Sequence, residues 1–126
     1  MQDRFKYRAW DKENKKYIYG VEKGLEFYST AGNLRVMTLA EIAESSKYIA
    51  EQCSGLKDKN GKLIYEGDIV EAYDYTIEHS QVVWDKGCYV LKSKDVAMYE
   101  HLSSYEKKCK IIGNIHENPE LLEEDK

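Results

Sequence analysis

The sequence predicts a mostly β fold of the α+β kind, with small SH3-like or barrel-type antiparallel sheets and one or two short helices. Three observations predict it. Apolar and polar residues alternate at a period of two in several short segments, which is how a strand with one buried face reads. Clusters of Gly, Asn and Asp separate those segments, and these residues reverse a chain in tight turns. The chain also carries 11 tyrosines against 2 phenylalanines. A tyrosine ring packs on a half-buried pleated surface while its hydroxyl reaches water or a partner.

The elements follow in order. Within Phe5-Lys6-Tyr7-Arg8-Ala9-Trp10, aromatics alternate with bases at Phe5, Lys6, Tyr7 and Arg8, so the segment reads as a strand with one buried face. Asp11 to Lys15 is a polar turn, and Lys16 to Gly20 is the returning strand. Leu25-Glu26-Phe27-Tyr28 and Leu34-Arg35-Val36-Met37 form a second pair around Ala31-Gly32-Asn33. Thr38, with Glu41 three residues on, has capping-box spacing. Leu39, Ile42 and Ala43 then share one face of a short helix that ends at Ser45-Ser46. So short a helix needs packing to persist, because nucleation costs more than its few hydrogen bonds return.

From Lys47 the pattern is extended again. Asn60-Gly61, inside Lys57-Asp58-Lys59-Asn60-Gly61-Lys62, reads as a tight hairpin turn. Glu66-Gly67-Asp68 is a second turn, leading to a strand over Ile69–Tyr73. Gln81–Trp84 and Cys88–Leu91 form a hairpin-like unit, and Lys110–Ile115 is a late strand. Pro119 suits the first turn of a terminal helix with Asn118 as its N-cap. Ser93 to Lys108 reads equally as a helix, with Val96, Tyr99 and Leu102 on one side, or as a loop with an irregular strand. Trp10, Ile64, Tyr65, Ile69, Val70 and Ile112 are the expected core residues. Gly55, Gly61, Gly67 and Gly113 mark turns or close backbone approaches.

A length of 126 residues suits one compact domain. A subdivision is expected near Ser45-Ser46, with β-hairpins and a short helix over residues 1–46 and a small β-barrel over 47–126. At 42% apolar and 33% charged residues the chain is globular rather than disordered. No apolar run approaches the ~18 residues that cross a bilayer. The N-terminus lacks the apolar segment of a secretory signal. A cytoplasmic location in a bacterial host and no membrane partner are therefore expected. Cys53, Cys88 and Cys109 lack C-x-x-C spacing and read as reduced thiols.

Formal charge is −4 overall. Residues 117–126 hold five acids against Lys126, which accounts for all of it and leaves the body neutral. A neutral body lacks the bulk positive field that drives contact with phosphate backbones.

Three segments resemble the YopX family, known mainly from phages and prophages of Gram-positive bacteria. They are Phe5 to Asp11, Gly55 to Val70, and Ile112 to Leu121, and together they span the chain. The motif positions are Arg8, Trp10, Lys57, Asp58, Asn60, Gly61, Tyr65, Glu66, Gly67, Asp68, Gly113, Asn114, Glu117 and Asn118. His116 departs from the pattern, standing where an aromatic such as Tyr is expected. The resemblance implies a β-rich fold of small-barrel character and self-association. It carries no catalytic residues across, because the family has none established. Asp58, Asn60 and Asp68 are expected to bond nearby backbone amides.

No catalytic constellation is present. A G-x-S-x-G elbow, a P-loop and a G-x-G-x-x-G loop are all missing, and no cysteine has a local setting that activates it. Cys88, His101, Cys109 and His116 lack the paired spacing of a zinc module, and His79 reads as an isolated loop residue. No catalytic residue, metal or cofactor is expected. The leading functional expectation is a non-enzymatic interaction or self-assembling module, a homo-oligomer or partner of a phage or host protein. Trp10 and Trp84 are its candidate anchors, although core packing is the favoured role for both. The second reading is weak nucleic-acid binding in phage replication or regulation, using Lys6, Arg8, Lys57, Lys59 and Lys62.

Overall fold

The computed structural model describes residues 3–72, 77–93 and 100–123. Antiparallel strands dominate, with one short α-helix among the described residues and a curled, half-barrel sheet, so the α+β expectation holds. The chain divides into two compact units, Met1–Gln52 and Cys53–Lys126.

The first unit holds β1 (Tyr7–Asp11), β2 (Lys16–Tyr19), β3 (Leu25–Tyr28), β4 (Leu34–Met37), α1 (Leu39–Glu44) and the start of β5 (Tyr48–Lys57). β1 is central, with Trp10 opposite Tyr17 of β2 and Ile49 of β5. Phe5 belongs instead to a 3-10 turn, Asp3–Phe5, and is exposed. The expected single buried face of β1 is also wrong. Arg8, Ala9, Trp10 and Asp11 are all buried, because both faces are covered. Ala9 joins the core of Val21 and Ile42 on one side. The Tyr17 ring covers Arg8 and Trp10 on the other.

Asp11 closes the β1–β2 turn. Its carboxylate accepts the Glu13 and Asn14 backbone N–H groups, both at 3.0 Å, and the Asn14 side-chain amide at 2.8 Å. The Asn14 backbone bond does most to hold this carboxyl below its ordinary range, against the opposing effect of burial.

α1 begins as expected. The Glu41 backbone N–H donates to Thr38 Oγ1 at 3.2 Å, and the Thr38 N–H donates to Glu41 Oε1 at 2.8 Å. Ile42 is fully buried, which stabilises the short helix by about 2 kcal/mol through removal of apolar surface from water. Ala43 faces solvent, so the apolar stripe is narrower than its spacing suggests.

The second unit is built on a five-stranded antiparallel sheet in the order β10-β9-β8-β7-β11. Its strands are β7 (Asp68–Ala72), β8 (Ile77–Asp85), β9 (Cys88–Lys92), β10 (Glu100–His101) and β11 (Lys110–Asn114). β6 (Leu63–Tyr65) pairs with the second half of β5. Ile64, Val70, Val82, Leu91, Leu102 and Cys109 form the core. Within Ser93–Lys108, the described residues include β10 followed by a 3-10 turn, Leu102–Tyr105, that buries Leu102. Val96 and Tyr99 lie outside the described residues.

Four local readings change. The tight two-residue turn is Lys86-Gly87, both at positive φ, between paired Asp85 and Cys88. By contrast, Lys57 pairs with Leu63, so Asn60-Gly61 belongs to a five-residue connection. Ile112 is the extra residue of a β-bulge in β11, which leaves it half-buried instead of in the core. His79 is not an isolated loop residue. It lies in β8, with Nδ1 2.9 Å from the Leu121 carbonyl and Nε2 3.6 Å from Glu71. Asn118 precedes a 3-10 turn, Pro119–Leu122, but its side chain does not cap it.

Candidate functional site

In the second unit, the motif residues converge around β11. Asp58 is buried and accepts three backbone N–H groups: Asn60 and Lys62 on Oδ1, both at 2.9 Å, and Ile111 on Oδ2 at 3.1 Å. The connection that Asp58 organises includes Gly61 at φ 82°, a conformation glycine adopts without strain. Asn60 contributes its backbone N–H to this network. The Lys57 carbonyl accepts the Lys107 N–H at 2.8 Å, which tucks the chain before β11 against the same turn.

A second corner forms where β6, β7 and β11 meet. Buried Asp68 accepts the Tyr65 N–H at 2.8 Å, and the Gly67 carbonyl accepts the Ile115 N–H at 3.0 Å. Glu66, between them, is half-buried. The Asn114 side chain accepts the His116 and Glu117 N–H groups at 3.0 and 2.9 Å and donates to Glu117 Oε1 at 2.8 Å. Asn118 turns back to accept the Asn114 N–H at 3.2 Å. Gly113 makes room for it, since a Cβ there would lie 2.6 Å from Asn118 Oδ1. These motif side chains satisfy backbone groups, and that is a structural role.

Arg8 and Trp10 belong to the first unit, where sequence reading missed their partners. Arg8 Nε donates to Glu51 Oε1 at 2.8 Å, and the Tyr17 hydroxyl donates to the same oxygen at 3.0 Å. The Arg8 guanidinium stacks over the Tyr17 ring at 3.9 Å, and Trp10 meets that ring edge-on at 5.0 Å. Only the register of β1 against β5, which places Arg8 opposite Glu51, brings this pair together.

The exposed large apolar residues lie elsewhere. Trp10 is buried at 6% exposure, whereas Trp84 is 51% exposed, so the core role expected of both holds for Trp10 alone. Trp84 packs edge-on against Tyr89 at 4.9 Å on the β8–β9 hairpin. In the first unit, the β3–β4 hairpin exposes Phe27, Tyr28, Leu34 and Val36, with Tyr28 at 74%. Sequence order could have flagged that hairpin, since it alternates poorly and both of its faces carry large apolar residues.

Among the described residues, no group of three or more His, Cys, Asp or Glu side chains is placed to hold a metal ion. Cys53 and Cys109 are buried, Cys88 is half-buried, and none of the three is in a disulfide. Desolvation, followed by the nearby Asp58 charge, pushes the Cys109 thiol up to about 11. No helix among the described residues is long and apolar enough to cross a membrane.

The family model described as YopX protein matches residues 6–123. The chain belongs to the YopX family. This YopX-family chain also resembles the crystal structure of protein EF1440 from Enterococcus faecalis, at 26% identity and a TM-score of 0.59, covering 93% of this chain and 96% of that one. It shares its fold with protein yopX from Bacillus subtilis, at 19% identity and a TM-score of 0.57, covering 94% and 98% of the two chains. No curated protein matches the chain.

Proposed function

We propose that this protein is a non-enzymatic, self-assembling interaction module of phage or prophage biology, working in the host cytoplasm. The observation that carries the reading is the β3–β4 hairpin. Four large apolar side chains are exposed on a two-stranded sheet whose strands, among the described residues, have no further neighbour. A lone hairpin is marginally stable in water, and its free edges recruit another strand. Leu25 and Met37 tie its base to the core, while its outer part remains uncovered.

Light scattering after size exclusion, at high micromolar concentration, tests this. The unmodified chain is expected to exceed the mass of one copy, and Tyr28→Glu with Val36→Glu to reduce it. A single-copy mass throughout would refute self-assembly.

Nucleic-acid binding is the weaker reading. Of its proposed basic residues, Arg8 is buried against Glu51, and Lys6 is paired with Asp3 at 3.0 Å. Binding to single- or double-stranded DNA or RNA that weakens steeply with salt would restore it.

A further inference from the structure

Cys88 opens β9, and His101 ends β10 opposite Val90. Residues opposite each other, or two apart along a strand, share a face, so Cys88, Val90 and His101 lie on one side of the sheet. There Cys88 Sγ is 3.6 Å from His101 Nδ1, a hydrogen-bond distance for sulfur. The thiol also lies 3.5 Å from the Asp85 carbonyl, across the tight Lys86-Gly87 turn. That turn fixes where β9 begins, and the β9–β10 register fixes His101 relative to it. Sequence alone gave no sign of the pairing, since 13 residues separate the two.

The pair differs from the other thiols in access. Cys88 is half-buried beside an exposed imidazole, whereas Cys53 and Cys109 have no exposed surface. A neutral imidazole protonated at Nε2 presents the Nδ1 lone pair to the thiol proton. A cysteine with such an acceptor within reach has the arrangement that makes sulfur a nucleophile.

We propose that Cys88 is a site of mixed-disulfide formation with small organic disulfides, with His101 as its base. His101 Nδ1 takes the Sγ proton as the Cys88 sulfur attacks one sulfur of the incoming disulfide. The new S–S bond forms as the old one breaks. The departing sulfur leaves with the electron pair and collects the proton from His101. Cys88 is oxidised, half of the small disulfide is reduced to a free thiol, and no other oxidant is needed. This chemistry stands apart from the β3–β4 hairpin and survives if self-assembly fails.

The experiment treats the full chain with oxidised glutathione and follows it by intact mass and peptide mapping. One adduct per chain, on Cys88, is expected, and Cys88→Ser abolishes it. His101→Gln is expected to slow its formation at least about tenfold, short of the roughly 10²–10⁴-fold that general-base assistance typically contributes. Imidazole added to His101→Ala should restore part of the rate, which a merely structural histidine would not permit. In urea, the unmodified chain and His101→Gln should react alike. Equal rates for the two folded proteins, an adduct first on Cys53 or Cys109, or no adduct at all would overturn the proposal. His101 is exposed, and circular dichroism of each variant checks that the fold persists.

Discussion

Asp58 spans 53 residues of sequence to accept the backbone N–H of Ile111 at 3.1 Å. The same carboxylate organises its own turn through Asn60 and Lys62. One side chain thereby sets both the entry to β6 and the seating of β11.

Asp58→Ala leaves three backbone donors without their charged acceptor. A loss of about 3 kcal/mol or more is expected from hydrogen bonds of that kind. Asp58→Asn, keeping one oxygen, should fall between. Urea unfolding followed by far-ultraviolet circular dichroism measures the series, and an Asp58→Ala midpoint equal to the parent would contradict it.

Cys109 supplies a pH dependence. Its thiol pKa is raised in the folded chain to about 11, from an ordinary value of 9.0, because burial disfavours the thiolate. The folded state therefore favours the protonated form. The resulting stability is complete below about 9 and declines as pH climbs towards about 11. Cys109→Ala should weaken the core at neutral pH and yet show a shallower alkaline decline. Unfolding midpoints at several pH values between those limits decide the matter, and parallel profiles would count against it.

Arg8 and Glu51 form an ion pair with both side chains only 4% exposed. Removing either partner strands the other charge, at a cost of about 3–5 kcal/mol. Arg8→Met or Glu51→Leu alone should therefore destabilise strongly, and the double substitution should recover much of the loss. Arg8→Lys should not substitute well, because an ammonium cannot reproduce the stacking on Tyr17. A double-mutant cycle with no coupling would dispose of this account.

Gly113→Ala places a methyl group against Asn118. With Oδ1 2.6 Å from the new Cβ, something must shift, and overpacking of this kind costs about 1–3 kcal/mol. Adding Asn118→Gly should remove the collision and return part of the stability. If Gly113→Ala melts with the parent protein, the close approach is unimportant.

What could be read beforehand was mainly local. β3 and β4 fall on the expected residues, and the Thr38–Glu41 box starts α1, because both depend on neighbours a few residues away. Register over long separations was hidden. Arg8 and Glu51 are 43 residues apart and meet only through the β1–β5 alignment. Periodicity also fails where a strand outruns its cover. Val82 and Trp84 share a face of β8, yet the first has no exposed surface and the second lies beyond the core. The bulge at Ile112 breaks the count within β11, moving an apolar residue out of phase. The motif segments were recognisable in the sequence, but their shared task of satisfying backbone groups around one late strand was not.

The place of β11 in the chain has a consequence for biosynthesis. While the ribosome is still adding residues before Ile111, Asp58 lacks its distant donor and β7 is open along the edge that β11 later covers. The nascent second unit must wait with an unfinished sheet, and closing so long a loop is slow relative to making a hairpin. Translation stalled in that interval would leave a sticky, protease-sensitive fragment, so the speed at which the codons of β11 are read bears on yield.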